Sequence, residues 1–366
     1  MRIFLVCADP GIPLDGTKGA SIHLRSLAGA LLDAGHDLTL FTAAGANPRG
    51  AARLPFPVRD LRSGGSIVQE ARSSRVPDLV YERYALGHEG GLRSARALGI
   101  PFALEVNAPL VLEASRHRPD SLRPEHAEAE RRLFRESDLV FAVSRPLRGY
   151  VEDLRGTAEG IAVLRNGFDP RLFPIPATLG GQVLAFLGHP KPWHGGDRLP
   201  GLVADLRARG TDARLLLIGG GRGAGPIVAE AERLGMAEAI EVTGPVHPAV
   251  AARRLLEASV ALAPYPPDPF FYFCPLKVIE YMAAGLPVVA PAQGDIPEIV
   301  GDTGILVPPG DDRALLGAVE RLLEDRALRS RLGARARLRA FNGFTWEAVA
   351  DRLADALTGT VREAVA

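Results

Sequence analysis

The sequence predicts two doubly wound α/β domains, each a parallel sheet with helices packed on both faces. Short apolar runs alternate with longer amphipathic stretches almost throughout, the signature of βαβ units. A Pro- and Gly-rich segment, residues 168–181, divides that series into two halves of similar size. The length of 366 residues suits two domains at roughly 150 residues each.

The first domain is expected over residues 1–167. It opens on a buried strand, residues 2–7 (RIFLVC), followed by a Gly-rich loop over 9–19. A helix runs from about residue 20 to 34 and stops at Gly35, where the missing Cβ suits a left-handed C-terminal cap. Strands follow at 37–42, 78–82, 101–106, 138–143 and 161–164, with helices between them, for example 124–136 and 146–155. Residues 168–181 read as a linker.

The second domain is expected over 182–344. Its strands are read at 182–187, 213–218, 240–243, 259–263 and 286–290. Its helices are read at 197–208, 225–235, 248–257 and 275–284. The chain ends in helices at 311–324, 327–340 and about 345–364.

Composition excludes several classes. Apolar residues make up 47% and charged residues 23%, a globular balance. Basic and acidic residues number 43 each, so no nucleic acid is expected as a partner. No apolar run approaches a membrane span, and the start stops at Asp9, too soon for a signal peptide. Cys7 and Cys274 make no disulfide framework and no metal or redox spacing. A reducing, cytoplasmic setting is expected, with peripheral contact at the inner membrane face left open.

Of the 43 basic residues only Lys18, Lys191 and Lys277 are lysine; 40 are arginine. Where arginine serves almost everywhere, a lysine marks a place for a compact point charge. All three fall in motifs at predicted strand ends, where open α/β sheets bind ligands. D-P-G-I-P-L-D-G-T-K-G-A-S (9–21) places Gly16, Lys18 and Gly19 between a strand and a helix. It reads as a ligand loop or a flexible turn. It is neither a Walker loop nor G-x-G-x-x-G, so ATP and dinucleotides are not indicated. Y-E-R-Y (81–84) and L-E-V-N (104–107) bring Glu82, Arg83, Glu105 and Asn107 to strand ends, either to meet sugar hydroxyls or to pair with one another. F-L-G-H-P-K-P-W-H-G-G (186–196) offers Gly188, His189, Lys191 and His194 to a phosphate; Trp193 reads equally as packing.

The most specific motif is Y-F-C-P-L-K-V-I-E-Y-M-A-A-G (272–285). Pro275 suits a first helical turn. Lys277 then opposes the helix dipole, a conflict that a bound anion removes. Glu280 lies on the same face and suits ribose hydroxyls. The main chain around Phe273, Cys274, Pro275 and Leu276 is expected at the phosphates, and Gly244 of V-T-G-P-V beside the base. No D-x-D, metal-ligand spacing or G-x-S-x-G elbow occurs, so neither a metal nor a serine hydrolase is expected.

In this order the K-G-A-S loop, L-R-N-G-F-D, G-H-P-K-P-W-H-G, P-L-K-V-I-E-Y-M-A-A-G-L-P-V-V-A, G-I-L-V-P-P-G-D and the terminal F-T-W-E resemble glycosyltransferase family 4 over nearly the whole chain. The resemblance implies the GT-B fold, two Rossmann-like domains facing a central cleft. It implies retaining transfer from a nucleotide-diphosphate sugar, UDP- or GDP-linked, to a glycan, lipid-linked or natural-product acceptor, without metal or other cofactor. The first domain would hold the acceptor and the second the donor, with the last helix crossing back to the first. Glu280 matches the second glutamate of the family's E-x7-E motif; the first falls at Tyr272, placed at the donor sugar or acceptor. His189 and His194 stand where the family commonly has Arg and Lys, so Lys191 and Lys277 are expected to carry the charge, with His189 beside them. Asn107 lies near the place of the acceptor-side histidine. A GT-B sugar-nucleotide epimerase and a non-catalytic nucleotide-sugar-binding relative are the alternative readings.

Overall fold

The apolar run at the start of the chain becomes β1 (Arg2–Cys7), with residues 3–7 all buried. The computed structural model describes residues 1–16, 18–45, 55–63, 66–175 and 181–365. Two compact units emerge. The first comprises Met1–Asn166, Tyr272–Cys274 and Trp346–Ala366; the second comprises Gly167–Phe271 and Pro275–Thr345.

In the first unit β1 is followed by α1 (Gly19–Asp33), β2 (Asp37–Thr42), β3 (Val58–Asp60), α2 (Ile67–Ser73), β4 (Leu79–Arg83) and α3 (Gly90–Leu98). Then come β5 (Phe102–Val106), α4 (Leu110–His117), α5 (Pro124–Glu136), β6 (Leu139–Ala142), α6 (Arg145–Arg155) and β7 (Ile161–Val163). The seven strands are parallel in the order β3-β2-β1-β4-β5-β6-β7. Every residue of β4 and β5 is buried, so both faces are covered, as parallel sheets require. Gly35, at φ +83°, turns the chain out of α1 as expected of a left-handed cap.

The second unit runs β8 (Val183–Gly188), α7 (Leu199–Ala208), β9 (Arg214–Gly219), α8 (Gly225–Arg233), β10 (Ile240–Val242), α9 (Pro248–Leu255) and β11 (Val260–Leu262). It continues through α10 (Leu276–Ala283), β12 (Val288–Pro291), α11 (Ile296–Val300), β13 (Ile305–Val307), α12 (Asp312–Glu324) and α13 (Arg326–Gly343). Its six parallel strands are ordered β10-β9-β8-β11-β12-β13. The last helix, α14 (Trp346–Val365), belongs to the first unit and buries Trp346, Val349, Ala350, Leu353 and Leu357.

The expected linker is packed over its first residues. Phe168 is 2% exposed, bridges to Thr345, and stacks edge-on with Phe173 and Phe341 at 5.4 and 5.1 Å. Two aromatic anchors thus pack a segment that its prolines make irregular. The remainder of that expected linker, residues 176–180, lies outside the described residues.

Candidate active site

In the second unit α10 is pinned from behind. The fully buried Tyr281 hydroxyl accepts from the Leu187 amide at 2.7 Å and donates to the Leu262 carbonyl at 3.1 Å. This fixes the helix against the carboxyl ends of β8 and β11. Pro275 caps the amino end without a side-chain hydrogen bond, and no acidic residue stands in the first turn. The terminal amides therefore present an uncompensated positive end.

Lys277 sits in that turn. It is 9% exposed, and its Nζ has no hydrogen-bond partner. The ammonium lies 4.1 Å from the centre of the Phe186 ring and 5.6 Å from that of Tyr265, contacts that soften but do not cancel the loss of water. Burial drives its pKa down to about 7, partly offset by the charge of Glu280. Burial raises Glu280 to about 7 in turn, with Lys277 opposing.

The adjoining loop leaves β8 at Gly188, whose φ of +106° belongs to glycine. His189, Lys191 and Trp193 are exposed, and the Lys191 ammonium rests 5.8 Å over the Trp193 ring. His194 turns inward: its Nδ1 donates to the His189 carbonyl at 3.1 Å, and its ring meets Tyr265 edge-on at 5.8 Å. Burial, then the charges of Lys277, Lys191 and His189, depress its pKa to about 3. His194 is therefore a neutral ring at ordinary pH, which leaves the positive charge here to Lys191 and Lys277. Gly195 lets this loop close, since a Cβ there would lie 1.9 Å from the Pro264 carbonyl oxygen.

Gly244 lies beside this loop system. It bridges to Gly219, and the Thr243 hydroxyl joins the two by accepting from the Gly219 amide at 2.9 Å and donating to the Gly244 carbonyl at 2.8 Å. The glycines at 219–221, all at positive φ, were not singled out from sequence. The run of adjacent glycines after an apolar strand was the available signal.

The first unit gathers its polar groups on Glu105, at the end of β5 and 2% exposed. Arg83 Nη1 donates to Oε1 at 2.8 Å and the Tyr81 hydroxyl to Oε2 at 2.7 Å. Asn107 Nδ2 donates to Oε1 as well. His23, from α1, approaches at 3.0 Å. Burial would raise the Glu105 carboxyl, but His23, Arg83 and Tyr81 together hold it well below the usual carboxylate range. Arg83 and Glu105 are thus an ion pair joining two strand ends, not a pair of free sugar ligands.

Glu82 points to the other face of β4 and is fully buried. It accepts from His88 Nδ1 at 2.5 Å and from the Gly91 amide at 3.0 Å. Burial raises its pKa, with His88 opposing. Glu82 is thus engaged with His88 and Gly91 in this structure, away from solvent.

The Gly-rich loop is built rather than loose. Ile12 and Leu14 are buried in it, and Arg25 of α1 donates to the carbonyls of Leu14 and Gly16, the latter at 2.8 Å. Gly16 must be small, because a Cβ would meet Ser21 Oγ at 2.5 Å. Lys18 is the exposed N-cap residue of α1, and Gly19 opens the helix.

Tyr272, Phe273 and Cys274 are held within the first unit. The Tyr272 hydroxyl donates to Glu113, and its carbonyl accepts from Ser144 Oγ at 2.6 Å. The Cys274 carbonyl accepts from Asn166 Nδ2 at 2.8 Å. His23 and Ser144 carry no motif-level signal, Asn166 belongs to the L-R-N-G-F-D motif, and only the fold brings the three into one unit.

Residues 17–172 match the family described as Glycosyltransferase Family 4. Residues 181–325 match that described as Glycosyl transferases group 1. The GDP-mannose-dependent alpha-(1-6)-phosphatidylinositol monomannoside mannosyltransferase of Mycolicibacterium smegmatis is 28% identical, over 93% of this chain and 95% of that protein. The MMP alpha-(1->4)-mannosyltransferase of Mycolicibacterium hassiacum is 28% identical over 75% and 68%. Among solved structures, sucrose-phosphate synthase from Thermosynechococcus elongatus superposes with a TM-score of 0.78 at 21% identity, covering 99% of each chain. Anabaena HepE in complex with UDP superposes at 0.75 and 19%, over 98% of this chain and all of that one. Two parallel-sheet units with polar clusters at their strand ends, matched by these relatives, define a GT-B glycosyltransferase that takes sugar from a nucleotide sugar. The chain belongs to glycosyltransferase family 4. Among the described residues no helix is long and apolar enough to cross a membrane.

Proposed function

We propose that this chain is a retaining glycosyltransferase. It takes a hexose from a UDP- or GDP-linked donor and passes it to a glycan, lipid-linked or natural-product acceptor, with no metal in the donor site. The observation that carries this reading is Lys277, a buried ammonium without a hydrogen-bond partner at the open amino end of α10. A diphosphate there supplies the missing counter-charge and accepts from the free amides. Glu280, three residues on, offers a carboxylate to the ribose.

Negative charge grows on the diphosphate as the sugar departs. Fixed donors already aimed there stabilise that charge without reorganisation. Lys277, Lys191, His189 and the α10 amides fill this role, with His194 as a neutral hydrogen-bonding ring. Retention follows if the departing phosphate takes the acceptor's proton on the same face. Arg83, Glu105 and Asn107 shape the acceptor side and the 9–19 loop borders it. GDP-mannose is the first donor to test, given the names of the mannosyltransferase relatives, and UDP-glucose the second.

Calorimetry and thermal melting with GDP, UDP, GDP-mannose and UDP-glucose test the reading. One nucleotide at 100 times its Kd should stabilise the protein by about 2.7 kcal/mol. Lys277→Met should weaken that nucleotide about 10–100-fold, as expected for loss of a buried charge-assisted contact. Glu280→Ala should weaken the free nucleoside diphosphate too. The product should keep the donor's anomeric configuration, and turnover should survive EDTA. Failure of all four ligands to bind, or wild-type affinity in Lys277→Met, refutes the assignment.

A further inference from the structure

In the first unit one imidazole lies between a carboxylate and an amide with both ring nitrogens engaged. His23 Nε2 is 3.1 Å from Glu105 Oε2, and His23 Nδ1 is 2.8 Å from Asn166 Oδ1. The orientation of the Asn166 amide is dictated by its other end. Its Nδ2 donates to the Cys274 carbonyl at 2.8 Å, and a carbonyl can only accept. The amide oxygen therefore faces His23, so Nδ1 must carry a proton. Glu105, ionised and already receiving Arg83, Tyr81 and Asn107, is likewise an acceptor towards Nε2. Both nitrogens must donate, which only an imidazolium can do.

Burying a second cation beside Arg83 is costly. His23 is 5% exposed, and the Trp346 ring stands nearly perpendicular to it at 5.0 Å, excluding water on that side. What the charge secures is a continuous line from Glu105 through His23 and Asn166 to the main chain of Cys274. The main-chain N–H of Asn166 also donates to Cys274 Sγ at 3.3 Å, and Ser144 Oγ holds the Tyr272 carbonyl. Residues 272–274 are thereby gripped at both ends. In the chain they lead directly into Pro275 and the helix carrying Lys277 and Glu280.

We propose that His23 is held as an imidazolium and that His23 and Asn166 are positioning residues for sugar transfer, fixing the Tyr272–Cys274 main chain in its reactive geometry. Neither touches the substrate. The proposal deepens the reading above and rests on it for the reaction, but not for the charge state or the clamp.

The full chain, labelled with 15N-histidine, reports the charge state. Both His23 ring nitrogens should show protonated shifts at neutral pH, with the signal assigned by its loss in His23→Gln. A single protonated nitrogen overturns the proposal. Asn166→Asp keeps an acceptor for His23 and removes the donor to Cys274. Hydrogen exchange at residues 272–274 should accelerate in this variant, and unchanged exchange overturns the proposal. Turnover at saturating GDP-mannose or UDP-glucose, read as nucleoside diphosphate release, should fall about tenfold, the equivalent of one hydrogen bond's worth of transition-state stabilisation. The Kd for GDP or UDP should stay within about twofold, which separates positioning from lost binding. Unchanged turnover, or an equal loss in Kd, overturns it. Should the wild type release no nucleoside diphosphate from either donor, the transferase reading fails, while the shift and exchange results still decide the proposal.

Discussion

Lys277 sets function against stability within one side chain. Without ligand its ammonium has only ring faces and the more distant charge of Glu280 to offset desolvation. Replacing a buried unpaired charge by an apolar side chain of similar length removes that cost. Lys277→Met should therefore raise the melting temperature of the ligand-free protein while losing nucleotide binding. The pH dependence follows in sign. The folded pKa, about 7, lies below the ordinary 10.5, so the unfolded chain binds more protons between those values. Stability contributed by this site then rises with pH across that window and is lowest below about 7. Glu280, raised to about 7 from 4.5, gives the opposite slope between those two values. Melting curves of wild type and Lys277→Met from pH 7 to 10 check this: the difference between them should shrink as pH rises. A constant difference would show that the ammonium is not what costs stability.

At the scale of elements, α5 and α6 are tied to the end of β4 through one carboxylate. Glu130 of α5, 2% exposed, accepts from the hydroxyls of Tyr84 at 3.0 Å and Tyr150 at 2.8 Å. Glu130→Ala removes the acceptor shared by two phenols, at roughly 1–3 kcal/mol for each affected group. Chemical denaturation should show a loss of roughly 2–6 kcal/mol, while Glu130→Gln, which keeps one acceptor, should lose less. Long elements were legible beforehand: strand 37–42 and helix 124–136 stand where the pattern puts them. The three-residue strands β3 and β13 were not, although β7, β10 and β11 of the same length were, so shortness alone does not hide a strand. The short helices α2, α3 and α4 fell in intervals known only to be helical in part. Chemistry divides the same way. Lys277 and Glu280 lie three residues apart in one motif and could be read locally. His23, Glu105 and Asn166 are separated by 82 and 143 positions along the chain, and nothing in any one segment signals their meeting.

At the scale of the whole molecule, neutral net charge conceals a local arrangement. Arginine serves structure widely, as where Arg337 and Arg339 donate to buried main-chain carbonyls. Lys277, in the first turn of α10, and Lys191, on the loop after β8, stand instead where a diphosphate is proposed to bind. Chain order and physical body also part company: the first unit needs three separate stretches, and its last, α14, is made only after the second unit is complete. α14 packs on α1 and buries Trp346, Val349, Leu353 and Leu357, with Trp346 against His23. Each such side chain is worth roughly 1.5–3 kcal/mol when fully buried, so the helix supplies a large share of a marginal balance. Truncation after Thr345 should expose the apolar face of α1 and open the first unit, while the second keeps every strand of its sheet. Hydrogen exchange by mass spectrometry distinguishes the two. Protection should collapse over β1, α1 and β2 and persist over β8, β9, β11 and β12. Equal loss across both sheets would mean that the two units do not hold their stability separately.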